Sequence, residues 1–168
     1  MKTYAVYKGI KSHLNSIAEV LYYTGQYSKE KGNTSYVAPA IYIEMPKALK
    51  FDYFPGGVKV AKGAEIRIHY LSSAPFQGHD NTVQDSAVQA HETTVADIMN
   101  ELEGLEIKDS SGRVIASGLI QTGCTPVAYR PMYAFSVLIF KCELRDYSVQ
   151  KYTGSLTEDA GGLEVTLG

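Results

Sequence analysis

The chain has 168 residues with 16 Lys+Arg against 18 Asp+Glu, a formal net charge of −2, and 45% hydrophobic and 20% charged residues. That is enough chain to bury one continuous core without staples, with the composition of an ordered globular domain. No basic block supports nucleic-acid binding, which needs clustered Lys and Arg, and the longest uncharged apolar run, residues 134–140, is far shorter than the roughly 20 residues that cross a bilayer.

The N-terminus, Met1-Lys2-Thr3-Tyr4, passes almost at once into a helical pattern. It lacks an apolar stretch with a small-residue cleavage site, so the protein is expected to stay in the compartment where it is made. An amphipathic helix is predicted over residues 7–23, where Tyr7, Ile10, Leu14, Ile17 and Leu21 recur at spacings of three and four while Lys8, Lys11, Ser12, Asn15 and Glu19 lie off the stripe. Gly25 reads as its stop, and residues 27–35 as a polar loop. After Pro39 a strand is predicted over residues 40–45, apolar on both faces. Residues 51–60 then place Phe51, Tyr53 and Phe54 before Pro55-Gly56-Gly57 and Val58-Lys59-Val60, the pattern of a projecting hairpin. The next strand, residues 64–71, alternates cleanly. Ile66, Ile68 and Tyr70 share one face, and Glu65, Arg67 and His69 share the other, which is expected to be wet.

A second helix is predicted over residues 83–102, with Ala87, His91, Val95, Ile98 and Leu102 on its apolar stripe and Asp80 or Asn81 as its cap. A hairpin turn is predicted at Asp109-Ser110-Ser111-Gly112. The last strand, residues 133–144, carries Phe135, Val137 and Ile139 on one face and Leu138, Phe140 and Cys142 on the other. Its second face requires cover, either from the same chain or from another subunit. From residue 148 to 168 the chain turns polar and glycine-rich, and its alternating end suits strand addition to a neighbour's sheet. The predicted fold is thus α+β: a mostly antiparallel sheet of four to five strands, two helices on one face and a projecting hairpin. A single domain spans residues 1–147, followed by a polar, flexible extension over 148–168.

No catalytic constellation emerges. His91-Glu92 lacks the second histidine of a zinc-protease helix, since position 95 is Val95. His91 on its apolar stripe reads as a hydrogen-bonded core residue. Four histidines at unrelated spacings make no metal site, Gly56-Gly57 is not a phosphate loop, and no nucleophile elbow is present. Of the two cysteines, Cys142 reads as a buried small hydrophobe and Cys124 as the more reactive thiol, although no neighbour in sequence lowers its pKa. Neither a disulfide framework nor a metal quartet is available. No enzyme activity and no cofactor is expected.

The order of elements resembles the tail terminator, or tail-completion, proteins of long-tailed phages. It runs from a helix to the strand Pro39-Ala40-Ile41-Tyr42-Ile43-Glu44, a projecting hairpin, a strand closing in Ile66-Arg67-Ile68-His69-Tyr70, an Asp-containing loop and a second helix. A paired terminal sheet ends it in Phe140-Lys141-Cys142-Glu143-Leu144-Arg145-Asp146. The resemblance covers about residues 4–147 and contains no invariant functional motif. It implies a structural protein of the virion tail, assembled in the host cytoplasm as a homo-oligomeric ring, typically a hexamer. Such a ring ends growth of the tail-tube protein and meets a head-completion protein. Cyclic contacts need two different complementary surfaces, and the candidate subunit or partner contacts are Phe51, Tyr53, Phe54, Phe76, His79 and Asp80. The alternatives are another connector or minor tail protein, and a small-molecule-binding protein or enzyme with a pocket near His69, His79 and His91.

Overall fold

The computed structural model describes residues 3–26, 36–54, 57–73, 76–77, 82–130, 132–147, 157–159 and 162–164. In chain order these form α1 (Thr3–Leu14), β1 (Glu19–Tyr22), β2 (Ala40–Glu44), β3 (Asp52–Phe54), β4 (Val58–Ser73), β5 (Phe76–Gln77), β6 (Thr82–Val83), α2 (Asp85–Leu102), β7 (Ile107–Lys108), β8 (Val114–Ala116), β9 (Ile120–Cys124), β10 (Ala128–Arg130), β11 (Tyr133–Asp146), β12 (Thr157–Asp159) and β13 (Gly162–Glu164). The α+β class holds, but the main sheet has nine strands rather than four or five. It is mixed, with β1 parallel to β2 and the other pairs antiparallel.

The excess strands come from two long ones that each serve several partners. β4 and β11 pair along nearly their whole length, from Lys59 opposite Asp146 to Ser73 opposite Tyr133. The other side of β4 takes β3 at its start and β2 near its end, while the other side of β11 takes β10, β9 and β8 in turn. β4 also begins earlier than predicted. Between the pairs Cys142–Ala64 and Leu144–Ala61, β4 has two residues where β11 has one. Gly63, at φ 63°, occupies this bulge, so a glycine that reads as a strand boundary instead bends a continuous strand.

Alternation along the two long strands builds the core. Ile66, Ile68 and Tyr70 of β4 and Leu138, Phe140, Cys142 and Leu144 of β11 meet Ile41 and Ile43 of β2 in one cluster. Val6, Tyr7, Ile10 and Leu14 of α1 and Ile98 and Leu102 of α2 complete it. Gly9 lets α1 approach β7 closely, because a methyl there would overlap the side chain of Ile107. On the opposite face a smaller cluster joins Ala40, Tyr42 and Leu71, with Leu21, Tyr23, Tyr36, Tyr133 and Phe135 packed against it. The strand predicted to be half wet is therefore covered near its end, and the cover of β11 at Phe135 comes from the same chain.

α1 is shorter than its stripe suggests. The helix ends at Leu14, Ile17 donates its N–H to Leu14 O at 3.0 Å, and the chain re-enters as β1 with Val20 buried. Gly25, at φ 93°, falls after β1 and terminates no helix. α2 starts at Asp85, with Gln84 at the cap position making no side-chain cap bond. The proposed caps Asp80 and Asn81 lie outside the described residues, as does the 27–35 loop. The turn at residues 109–112 stands as expected. Gly112 has φ 77°, and the Asp109 carboxylate accepts the N–H groups of Ser111 at 2.8 Å and Arg113 at 3.0 Å. The Arg113 guanidinium also binds this carboxylate and holds its pKa below the ordinary value. Of the extension after residue 147, the described part is the β12–β13 hairpin.

Candidate functional site

The β3–β4 hairpin places two exposed aromatic side chains next to each other, Tyr53 and Phe54. Tyr53 pairs with Lys59 and Phe54 with Val58, and Gly57, at φ 76°, closes the turn with its N–H on Phe54 O at 3.3 Å. Tyr53 is 74% exposed and Phe54 42%, whereas Phe51 is half-buried against the main core and anchors the base. Two lysines overlie the rings. Lys59 Nζ sits 5.5 Å from the Tyr53 centroid and Lys62 Nζ 5.5 Å from that of Phe54, with Lys62 also 3.9 Å from Asp52. Cation–π contacts of this kind contribute about 0.5–1 kcal/mol at exposed sites.

Beneath the hairpin lies an open groove of ≈ 460 Å³, with Phe54, Val58 and Val60 on one side and Glu143, Arg145 and Tyr147 on the other. Tyr147 is tied down by its hydroxyl, which donates to Val114 O at 3.1 Å, and by the Arg113 guanidinium 4.8 Å from its ring centroid. The rings were legible as candidate contacts; their lysines were not. Hairpin register, placing Lys59 opposite Tyr53, is the signal that pairs them.

Phe76 lies in β5, which pairs only with β6 among the described residues. His79 and Asp80 lie outside the described residues. His69 and His91, which the small-molecule alternative would bring into one pocket with His79, stand on opposite faces of the sheet. His91 reaches from α2 into the main core, with Nδ1 hydrogen-bonded to Ser72 Oγ at 2.8 Å, Nε2 to Ser136 Oγ at 3.0 Å, and the Tyr70 ring 4.8 Å away. His69 faces the other way. Its Nε2–H meets Glu44 Oε2 at 3.1 Å and its ring stacks on Tyr23 at 4.3 Å.

Burial lowers the pKa of both imidazoles, and at His69 it outweighs the opposing pull of Glu44. Both are therefore neutral structural groups near pH 7, and the Glu44 contact is a charge-assisted hydrogen bond. The expected wet face holds at the exposed Arg67 and fails at His69, which Tyr23, just after β1, and Glu44 of β2 cover.

Of the two thiols, Cys142 is a buried packing group. Burial pushes Cys142 up to about 11. Cys124 is exposed, yet partial desolvation raises its pKa too, and its thiol lies 3.4 Å from Thr125 O. Among the described residues no three His, Cys, Asp or Glu side chains converge as a metal-binding group. No helix there is long and apolar enough to cross a membrane. Neither a family model nor a curated protein matches the chain.

Proposed function

We propose that this chain is a structural protein of a long-tailed phage virion, a tail terminator that works by shape and self-association. Its subunits form a homo-oligomeric ring, a hexamer in the simplest form, on the head-proximal end of the tail tube. The ring ends polymerisation of the tube protein and presents its other side to a head-completion protein. It assembles in the host cytoplasm, and its action needs no cofactor and no turnover. The observation that carries this reading is a long β4–β11 ribbon backed by two helices, from which an aromatic hairpin stands exposed. A ring subunit needs two different complementary surfaces, and an exposed aromatic projection suits one of them.

Two measurements on the purified full chain test it. Light scattering coupled to size exclusion reads the mass, and six chains of 18.4 kDa would give about 110 kDa. Electron microscopy of tube protein polymerising with and without the chain reads tube length. Shortened tubes with a density at one end are the expected result. Unchanged lengths, bare ends and a strictly monomeric chain together would remove the proposal.

A further inference from the structure

Charge is segregated along this chain in a way that its near-neutral total conceals. Between Arg67 and Lys108 there is no Lys or Arg, but there are seven Asp and Glu. The four carboxylates of α2, Asp85, Glu92, Asp97 and Glu101, are all exposed, and among the described residues none of them is in an ion pair. Asp97 and Glu101, one turn apart, edge an open groove of ≈ 370 Å³ between α2 and the turn after α1, which also exposes part of Ile17. The β3–β4 hairpin has the opposite character, with Lys59 and Lys62 held over the exposed rings of Tyr53 and Phe54.

We infer that these surfaces are the two halves of one contact between copies of the chain. The hairpin of one subunit seats Tyr53 beside Ile17 in the mostly polar groove of the next, with Lys59 against Asp97 and Glu101, while Phe54 and Lys62 on the hairpin's other face flank the contact. The inference rests on the ring reading and supplies its missing geometry. Because the two surfaces differ, the contact is heterologous and repeats head to tail until it closes. Tyr53, 74% exposed in the free chain, has more area to bury than Phe54 at 42%, and the two together supply only a central part of the roughly 800 Å² per partner in a standard interface. The charges set register and direction, since a reversed subunit would place lysine against lysine. Among the described residues the α2 carboxylates have no cation to give up, and on the hairpin side the exposed Lys62–Asp52 pair at 3.9 Å is the ion pair that competes.

The test measures the mass of the full chain by light scattering across a concentration series, for the wild type and three variants, with circular dichroism to establish folding. Lys59→Glu with Lys62→Glu, and separately Asp97→Lys with Glu101→Lys, are each expected to weaken self-association at least about tenfold. The four substitutions combined restore it. Salt at about 1 M, where the screening length is about 3 Å, weakens the wild type in the same direction.

Folded reversal variants that assemble like the wild type overturn the contact, as does a combined variant that stays dissociated. A wild type that remains monomeric to about 1 mM, where even a contact of about −4 kcal/mol would register, overturns it too. Loss of tube-end binding by the hairpin variant with no change in mass assigns the hairpin to the tube protein instead. Tube capping is read separately, so the contact can fail while the terminator function stands.

Discussion

His91 shows how a polar side chain is stabilised inside this core. Both ring nitrogens are used, on Ser72 and Ser136, and the Tyr70 ring lies against it. Replacing His91 by Ala strands two hydroxyls and leaves a void, with an expected cost of about 2–3 kcal/mol, read as a lowered midpoint in urea unfolding. Acid acts on the same group. The unfolded imidazole titrates near 6.5, and burial lowers the folded value, so the unfolded chain takes up the proton first as pH falls. Stability is therefore full above about pH 6.5 and is lost as the pH drops from there through the folded value.

His69 adds a contribution of the same sign. The melting temperature should be level above about pH 7 and fall towards pH 5. The double variant His69→Gln, His91→Gln should flatten that slope, and an equally steep slope in the variant would show that other groups cause it. Position 91 was legible because helical spacing put it on the stripe. Position 69 was not, because its cover comes from Tyr23 and Glu44, whose proximity depends on sheet order. Thiol chemistry gives a second test. A thiol reagent at pH 8 should label Cys124 slowly, and Cys142, with its pKa pushed up to about 11, only after unfolding.

Among the elements, boundaries were harder to read than types, and the causes are local. Ile17 and Leu21 continue the three-and-four spacing of α1, yet Asn15-Ser16 interrupts it with poor helix formers. Val20-Leu21-Tyr22 is then better accommodated as a strand, with Val20 towards the core and Leu21 towards the second cluster. A stripe of period 3.6 and a strand of period 2 coincide over so few residues. The parallel pairing of β1 with β2 was out of reach for a different reason. Parallel partners need a long connection, and local pattern carries no information about where it returns.

Gly9 is a position where element packing reverses a local preference. In a helix interior, Gly→Ala ordinarily gains about 0.5–1 kcal/mol. Here the new methyl overlaps Ile107 at the α1–β7 contact, and overpacking costs about 1–3 kcal/mol. Gly9→Ala should therefore be less stable than the wild type by about 1 kcal/mol. Adding Ile107→Ala should cost less than the separate effects combined, since the two sites touch. A rise in melting temperature on Gly9→Ala would show that α1 shifts freely on the sheet.

For the whole molecule, the α+β class followed from two apolar stripes and several alternating segments. The strand count did not, because one continuous β4 or β11 accommodates several short partners that look like loops in sequence. Exposure of the hairpin was legible for a simple reason. Phe51, Tyr53 and Phe54 precede Pro-Gly-Gly, the pattern of a projecting turn, and the fold half-buries Phe51 while leaving Tyr53 74% and Phe54 42% exposed.

That division of labour separates stability from assembly. Tyr53→Ser with Phe54→Ser removes two partly exposed rings and two lysine contacts, so the folded chain should lose about 1–2 kcal/mol. Phe51→Ser opens the core and should cost about 2–4 kcal/mol. If the hairpin is an attachment, the first pair should abolish self-association in light scattering while the melting temperature falls by only a few degrees. Phe51→Ser should instead lower the melting temperature first. Equal losses of stability in both would make the aromatic hairpin a part of the fold's own support and leave the ring without its protruding contact.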